Sequence, residues 1–271
     1  MCTELGMDVG HVIRREGGWP IPLALLNATG PIHLGILGMA VAVSAVATGA
    51  VIQGSVGLGL GLLAAPILAL IDPRLIPGPL LFAALGLTIL VSRREWQAID
   101  FSGLKWALTG RVAGTLLAGF TLVTVPKRDL AFIFGALILV AVALTASGMN
   151  WPPTARNLIL AGFLSGLMGT LVSIGGPPMA LVYQRASGPR LRGTLSSFFV
   201  VGATLSLIML GLVGRFGLQE LVWGSILLPG TLLGFAISNR TAPLLDRGYT
   251  RSAVLIISAL AGAMVILREV L

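Results

Sequence analysis

The chain has 271 residues, of which 56% are hydrophobic and only 10% charged, with a net charge of +8. A soluble domain keeps roughly a quarter of its residues charged to cover its surface, so this composition excludes a water-facing exterior and describes a protein wrapped in lipid. The positive charge fits short loops that collect Lys and Arg on one side of a bilayer. It does not fit a nucleic-acid surface, because no array of Lys/Arg interleaved with aromatics accompanies it.

A helix needs about 20 apolar residues to cross the hydrocarbon core, and the chain supplies such stretches in order. Residues 1–32 are mixed, with Arg14 and Arg15, and the apolar run 21–26 is too short for the core of a signal peptide; they read as a cytoplasmic or interfacial leader. The stretch 33–71 is too long for one straight span and contains GSVGLGLG at 54–61, which predicts a break there. A span at 78–92 follows, then an amphipathic link carrying Arg93, Arg94, Glu95 and Asp100. The next span, 104–124, is closed by Pro126 and the charges of Lys127, Arg128 and Asp129, and another runs over 130–147. The polar stretch GMNWPPTARN at 148–157 reads as a linker. After it, 158–174 is apolar and ends at GGPP, 175–178; a very short piece, 179–183, leads to a basic loop with Arg185, Arg190 and Arg192. Spans at 194–213, 221–238 and 252–267 complete the series.

The two parts of this series repeat one another. Gly114-Thr-Leu-Leu matches Gly230-Thr-Leu-Leu, Trp106 aligns with Trp223, and the glycine break at 54–61 matches one at 166–176, each followed by proline (Pro66; Pro177 and Pro178). The spacing describes an internal duplication of about 110–120 residues. The expected fold is therefore an all-α polytopic membrane protein of two repeated halves, 33–147 and 158–271, joined by the linker 148–157. Counting each broken segment as one crossing gives roughly four spans per half, and as two crossings roughly five. The second count inverts one half against the other. It also places the larger share of Lys and Arg on one side, with Arg93, Arg94 and the loops near Arg190 and Arg247, so inverted repeats are the expectation.

In lipid every backbone N–H and C=O must find a partner, so a helix broken at membrane depth persists only where it is buried in protein or lines a cavity. The freed N–H groups and the dipole at a half-helix N-terminus favour an anion, and inverted-repeat transporters hold substrate near the midplane at such paired breaks. The first break offers Gln53, Gly54, Ser55, Gly57, Gly59 and Gly61; the second offers Gly166, Thr170, Ser173, Gly175, Gly176 and Pro177. For any one of these glycines, tight helix packing is the competing use. Most charges lie at span ends, but Arg111 lies about two turns inside the span 104–124. It either binds an anion through its bidentate guanidinium or snorkels to the interface beside Lys105. No Asp or Glu falls clearly inside a span, since Asp72 and Asp100 are near span ends; this points to facilitated export, or to coupling through the substrate's own ionisation.

Enzyme chemistry is poorly provided for. Ser55, Ser165 and Ser173 stand beside glycine, but His33 is at a span edge and His11 in the leader, which leaves no serine–histidine pair. The single Cys2 excludes an internal disulfide and a cysteine metal site, and no cofactor is expected. A channel is a closer rival, because channels also use glycine breaks as filters. The expected partners are a small anionic substrate and the lipid bilayer, with no nucleic acid. The small-residue face 113–119 suits either a homodimer contact or internal packing.

The segments GSVGLGLGLLAAP at 54–66 and SGLMGTLVSIGGPP at 165–178, within a two-half plan, resemble the TauE/SafE family over nearly the whole chain beyond about residue 33. The resemblance implies a multi-pass exporter of small sulfur-containing anions, such as sulfite or sulfoacetate, in a bacterial inner membrane. An anion channel or a small-carboxylate permease is the alternative. The first half lacks the GGP of the second, which leaves the second break as the better-marked side of the site.

Overall fold

A computed structural model describes residues 35–147 and 151–245. The chain divides at Leu34, and all described residues fall in the second unit, Leu34–Leu271. The leader 1–32, His33, the span 252–267 and Arg247 lie outside the described residues. Among the described residues there are nine α-helices and no strand. In chain order they are α1 (Ile36–Val56), α2 (Leu60–Ile71), α3 (Gly78–Arg94), α4 (Phe101–Thr124), α5 (Lys127–Ala146), α6 (Ala155–Val172), α7 (Gly176–Tyr183), α8 (Gly188–Leu212) and α9 (Leu218–Leu245). Six stretches are long and apolar enough to cross a membrane: α1, Pro73–Arg94, α4, α6, α8 and Leu218–Ala242. Phe120 and Val123 on α4 and Leu232 and Leu233 on α9 are exposed, as lipid-facing side chains are in a multi-pass membrane protein.

Both expected breaks are present, and the first is narrower than its glycine run. Gly54, Ser55 and Val56 continue α1, and only 57–59 leave the helix. The stop is Gly57, whose φ of 100° is the left-handed conformation that ends a helix; its N–H closes on the carbonyl of Gln53 at 2.7 Å. The second break stops the same way at Ser173, with φ 61°, the one non-glycine residue at positive φ among the described residues. Pro66 lies inside α2 and not at its end, whereas Pro177 and Pro178 sit in the first turn of α7, where proline's missing N–H removes a donor the helix leaves unpaired anyway. α6 begins at Ala155, within the stretch read as a linker, because Thr154 accepts the N–H of Asn157 as a cap.

The helices pair across the chain. α4 packs most extensively on α6, α9 on α1, and α3 on both α8 and α9. Glycine sets the first two crossings: a Cβ on Gly110 would stand 1.9 Å from the carbonyl of Ile159, and one on Gly230 would stand 2.7 Å from that of Val43. The backbones therefore touch, the geometry that small-residue motifs produce in membranes. Gly114 and Gly119 of the face 113–119 are used the same way, against Phe163 and Met209, so these glycines pack internally.

Candidate functional site

The α4–α6 crossing carries Arg111 into the interior. Its side chain is 2% exposed, the largest fully buried side chain among the described residues. Nη1 donates to the carbonyl and the hydroxyl of Ser165, at 2.7 and 3.0 Å; Nη2 donates to the carbonyl of Gly202 and the hydroxyl of Ser206, both at 3.0 Å. Each terminal nitrogen has thus used both of its protons. Nε has no partner, and the guanidinium lies 5.6 Å from the Phe198 ring centroid. Room for it comes from two glycines: a Cβ on Gly169 would meet Nη1 at 2.8 Å, and one on Gly202 would meet Nε at 2.7 Å. Among the described residues no carboxylate pairs with it. Snorkelling is excluded, and Lys105 lies over the Trp106 ring on the exposed side of α4. A bidentate fork aimed at a ligand is also absent in this conformation, because all of its terminal protons are held by the protein.

Arg111 forms one wall of a cavity of about 50 Å³, room for a few waters or one compact oxyanion. The two breaks form the opposing walls: Gly59, Leu60 and Gly61 from the first, Ser173, Gly175 and Gly176 from the second. They are in direct contact, since a Cβ on Gly61 would stand 2.1 Å from the carbonyl oxygen of Ser173. The N-termini of α2 and α7 border the cavity; the Leu60 N–H at the first donates to Gln53 Oε1 at 3.1 Å, and Pro177 and Pro178 at the second carry no N–H. Ser165 joins the second break to Arg111: its hydroxyl donates to the Gly175 carbonyl at 2.6 Å while accepting from Nη1.

Of the residues expected from the sequence, the structure gathers Gln53, Gly59, Gly61, Arg111, Ser173, Gly175 and Gly176 around this cavity. Thr170 stands one layer behind, bonded to Ser206 at 2.7 Å. Pro177 is buried in the first turn of α7 and outside the lining. Gly54, Ser55 and Gly57 face elsewhere. A Cβ on Gly54 would meet Ser238 of α9, the Ser55 hydroxyl bonds Thr241 at 2.8 Å, and Gly57 lies against Arg192. Gly54 and Ser55 lie on the far side of the end of α1 from the cavity, a matter of helical phase that the glycine run does not encode, and Gly57 has already left the helix. Sequence reasoning missed Thr88, Ser206 and the glycines at 169 and 202. The signal that was available is the pairing of one intramembrane arginine with small residues, but the partners are 54 to 95 positions away along the chain.

A second charged cluster holds the end of α1. Arg94 donates to the Gly54 carbonyl and to Asn239 and Ser238; Arg192 donates to the Ser55 carbonyl at 2.9 Å; both reach Glu95 at 3.1 Å. Cations are favoured at a helix C-terminus, where carbonyls are left unpaired. Outside the spans, Asp100 caps α4, accepts from Ser102 and pairs with Arg190 at 2.8 Å. The Ser102 hydrogen bond, aided by Arg190, holds its carboxyl below the usual range.

The family model described as Sulfite exporter TauE/SafE matches residues 41–265. The chain belongs to the TauE/SafE family. As a TauE/SafE protein it is a multi-pass membrane protein of a transporter family, and the matched stretch takes in both breaks and Arg111. No curated protein and no solved structure matches the chain.

Proposed function

We propose that this TauE/SafE protein exports small sulfur-containing anions, sulfite or short organosulfonates such as sulfoacetate, across a bacterial inner membrane, with the anion held near the midplane between the two broken helices. The observation that carries the reading is the Arg111 guanidinium, buried with no carboxylate partner among the described residues, beside a cavity bounded by two half-helix N-termini. A buried charge is retained only when something compensates it. Neutral acceptors supply part of that compensation, and a bound anion supplies the rest.

The proposal includes two inverted halves. Supporting it, the left-handed stops at Gly57 and Ser173 are 116 residues apart, the spacing that separates Gly114 from Gly230. In both halves a long helix, a break and a short helix follow in that order, and the helix carrying the glycine match packs on the broken helix of the other half. Thr115 and Thr231, at the same spacing, are both buried.

Flux of sulfite and of sulfoacetate into proteoliposomes, measured with and without anion preloaded inside, tests the function. A carrier gives saturable flux that preloading accelerates. Unitary currents in planar bilayers, with no saturation, would replace the carrier with an anion channel, and preference for acetate over both sulfur anions would replace the substrate class with small carboxylates.

A further inference from the structure

Four side chains with polar groups line the cavity: Gln53, Thr88, Arg111 and Ser173. Two of them, Thr88 and Ser173, have no proton to offer a ligand in this conformation, and Arg111 keeps only its Nε–H, which is buried against Gly202. The Thr88 hydroxyl donates to the Leu85 carbonyl at 3.0 Å, the Ser173 hydroxyl donates to the Pro77 carbonyl at 3.0 Å, and each hydroxyl has one proton. The Nη groups of Arg111 are fully used by Ser165, Gly202 and Ser206. Gln53 differs. Its Oε1 accepts the N–H of Leu60, the first residue of α2, at 3.1 Å. A backbone N–H can only donate, so the amide atom facing it is the oxygen and the orientation of the carboxamide is fixed. The Nε2 protons have no partner among the described residues. Gln53 is 7% exposed, the Oε1 is turned to Leu60, and the residue borders the cavity.

We infer that the Gln53 carboxamide is the side chain that hydrogen-bonds the anion, presenting only donors because its oxygen is held by the Leu60 N–H. This rests on the cavity being the anion site. The division of labour is then definite. Arg111 supplies charge from behind a layer of its own hydrogen bonds, and Gln53 supplies the direct side-chain contact. At Gln53 the ligand meets donors and no free acceptor, because Oε1 is held by Leu60, so this position favours an unprotonated oxygen. Gln53 also spans the break twice, by its carbonyl to Gly57 at 2.7 Å and by its side chain to Leu60, so occupancy at Nε2 is felt at both half-helix ends.

Gln53→Glu separates recognition from capping. The carboxylate is isosteric and still accepts the Leu60 N–H, but it turns a negative oxygen toward the ligand in place of the NH₂. Wild type and variant, purified full-length in detergent, are titrated calorimetrically with sodium sulfite and sodium methanesulfonate, and Tm is measured beside each. At neutral pH the variant is expected to bind roughly 100-fold more weakly or worse with Tm unchanged. Methanesulfonate stays ionised on acidification, so its binding to the variant recovers as the introduced carboxyl gains a proton, while binding to wild type stays level. Wild-type affinity in the variant at neutral pH, or a loss that acidification leaves untouched, overturns the inference. Gln53→Met, without polar atoms, is expected to lose about tenfold; affinity within threefold of wild type overturns it too. Undiminished binding in Arg111→Gln, or no binding of either anion by wild type, would instead remove the anion site itself. Loss in Arg111→Gln beside wild-type affinity in Gln53→Glu would remove only the role of Gln53.

Discussion

Arg111 and Arg192 are both almost wholly buried, at 2% and 5% exposure, yet they are compensated in different ways. Arg192 shares Glu95 with Arg94, and the two arginines donate to the Gly54 and Ser55 carbonyls at the end of α1. That cluster holds its own counter-ion and closes a helix end. Arg111 is ringed by hydroxyls, carbonyls and a phenyl face, with a cavity at its front. A charge that serves architecture is paired within the protein. On the proposed function, a charge left with neutral partners keeps its field available to a mobile anion, and the neutral partners keep the guanidinium out of the space proposed for it.

The largest expected effect tests this contrast directly. Arg111→Gln should reduce sulfite transport in proteoliposomes by about 100-fold or more, since the removed charge acts across a low-dielectric site. Its Tm should fall by little or rise, because a buried charge without an ion partner is removed with it. A steep fall in Tm with transport per folded molecule intact would make Arg111 structural like Arg192. Next, Gly61→Ala forces a methyl onto the Ser173 carbonyl and should cost about 3 kcal/mol, as strong overpacking does, read as a drop in Tm and lost expression. Glu95→Gln removes the shared counter-ion and leaves Arg94 and Arg192 facing each other. Because the cluster is partly solvated, the cost should be about 2 kcal/mol and not the larger figure for a fully buried pair, with sulfite affinity within about threefold of wild type on the small-coupling expectation for separate sites. The smallest effect belongs to Asp100→Asn, at under about 1 kcal/mol, because Arg190 is exposed and surface pairs contribute little. The carboxyl of Asp100 is depressed in the folded state, so its contribution is present above its unfolded pKa of about 4 and is lost as pH falls further, through the folded value. Wild type should lose this increment on acidification and Asp100→Asn should not, a difference that thermal melts at a series of pH values resolve.

Six of the spans and both breaks were legible because lipid permits few structures: long apolar runs must be helices, and Gly-rich interruptions must be broken ones; the expected span 130–147 is a helix whose apolar core, Phe132–Leu144, is too short to count among the six. Arg111 was legible for the same reason, as the charge that does not lie at a span end. What the residues did not disclose is which side of each break faces the cavity. Gln53 and Ser55 are two positions apart on α1, and a helix turns about 100° per residue, so one borders the site and the other meets Thr241. The acceptors around Arg111 were hidden for another reason. They belong to α6 and α8, and their arrival depends on how closely glycine lets α4 and α6 cross.

The contact between Gly61 and the Ser173 carbonyl has a mechanical consequence. The first turn of α2 and the corner after α6 are in van der Waals register, so neither can be displaced alone without opening a void or forcing an overlap. If the protein is the carrier proposed above, a rearrangement that exposes the cavity to one side of the membrane and then the other must carry both corners as a single rigid joint.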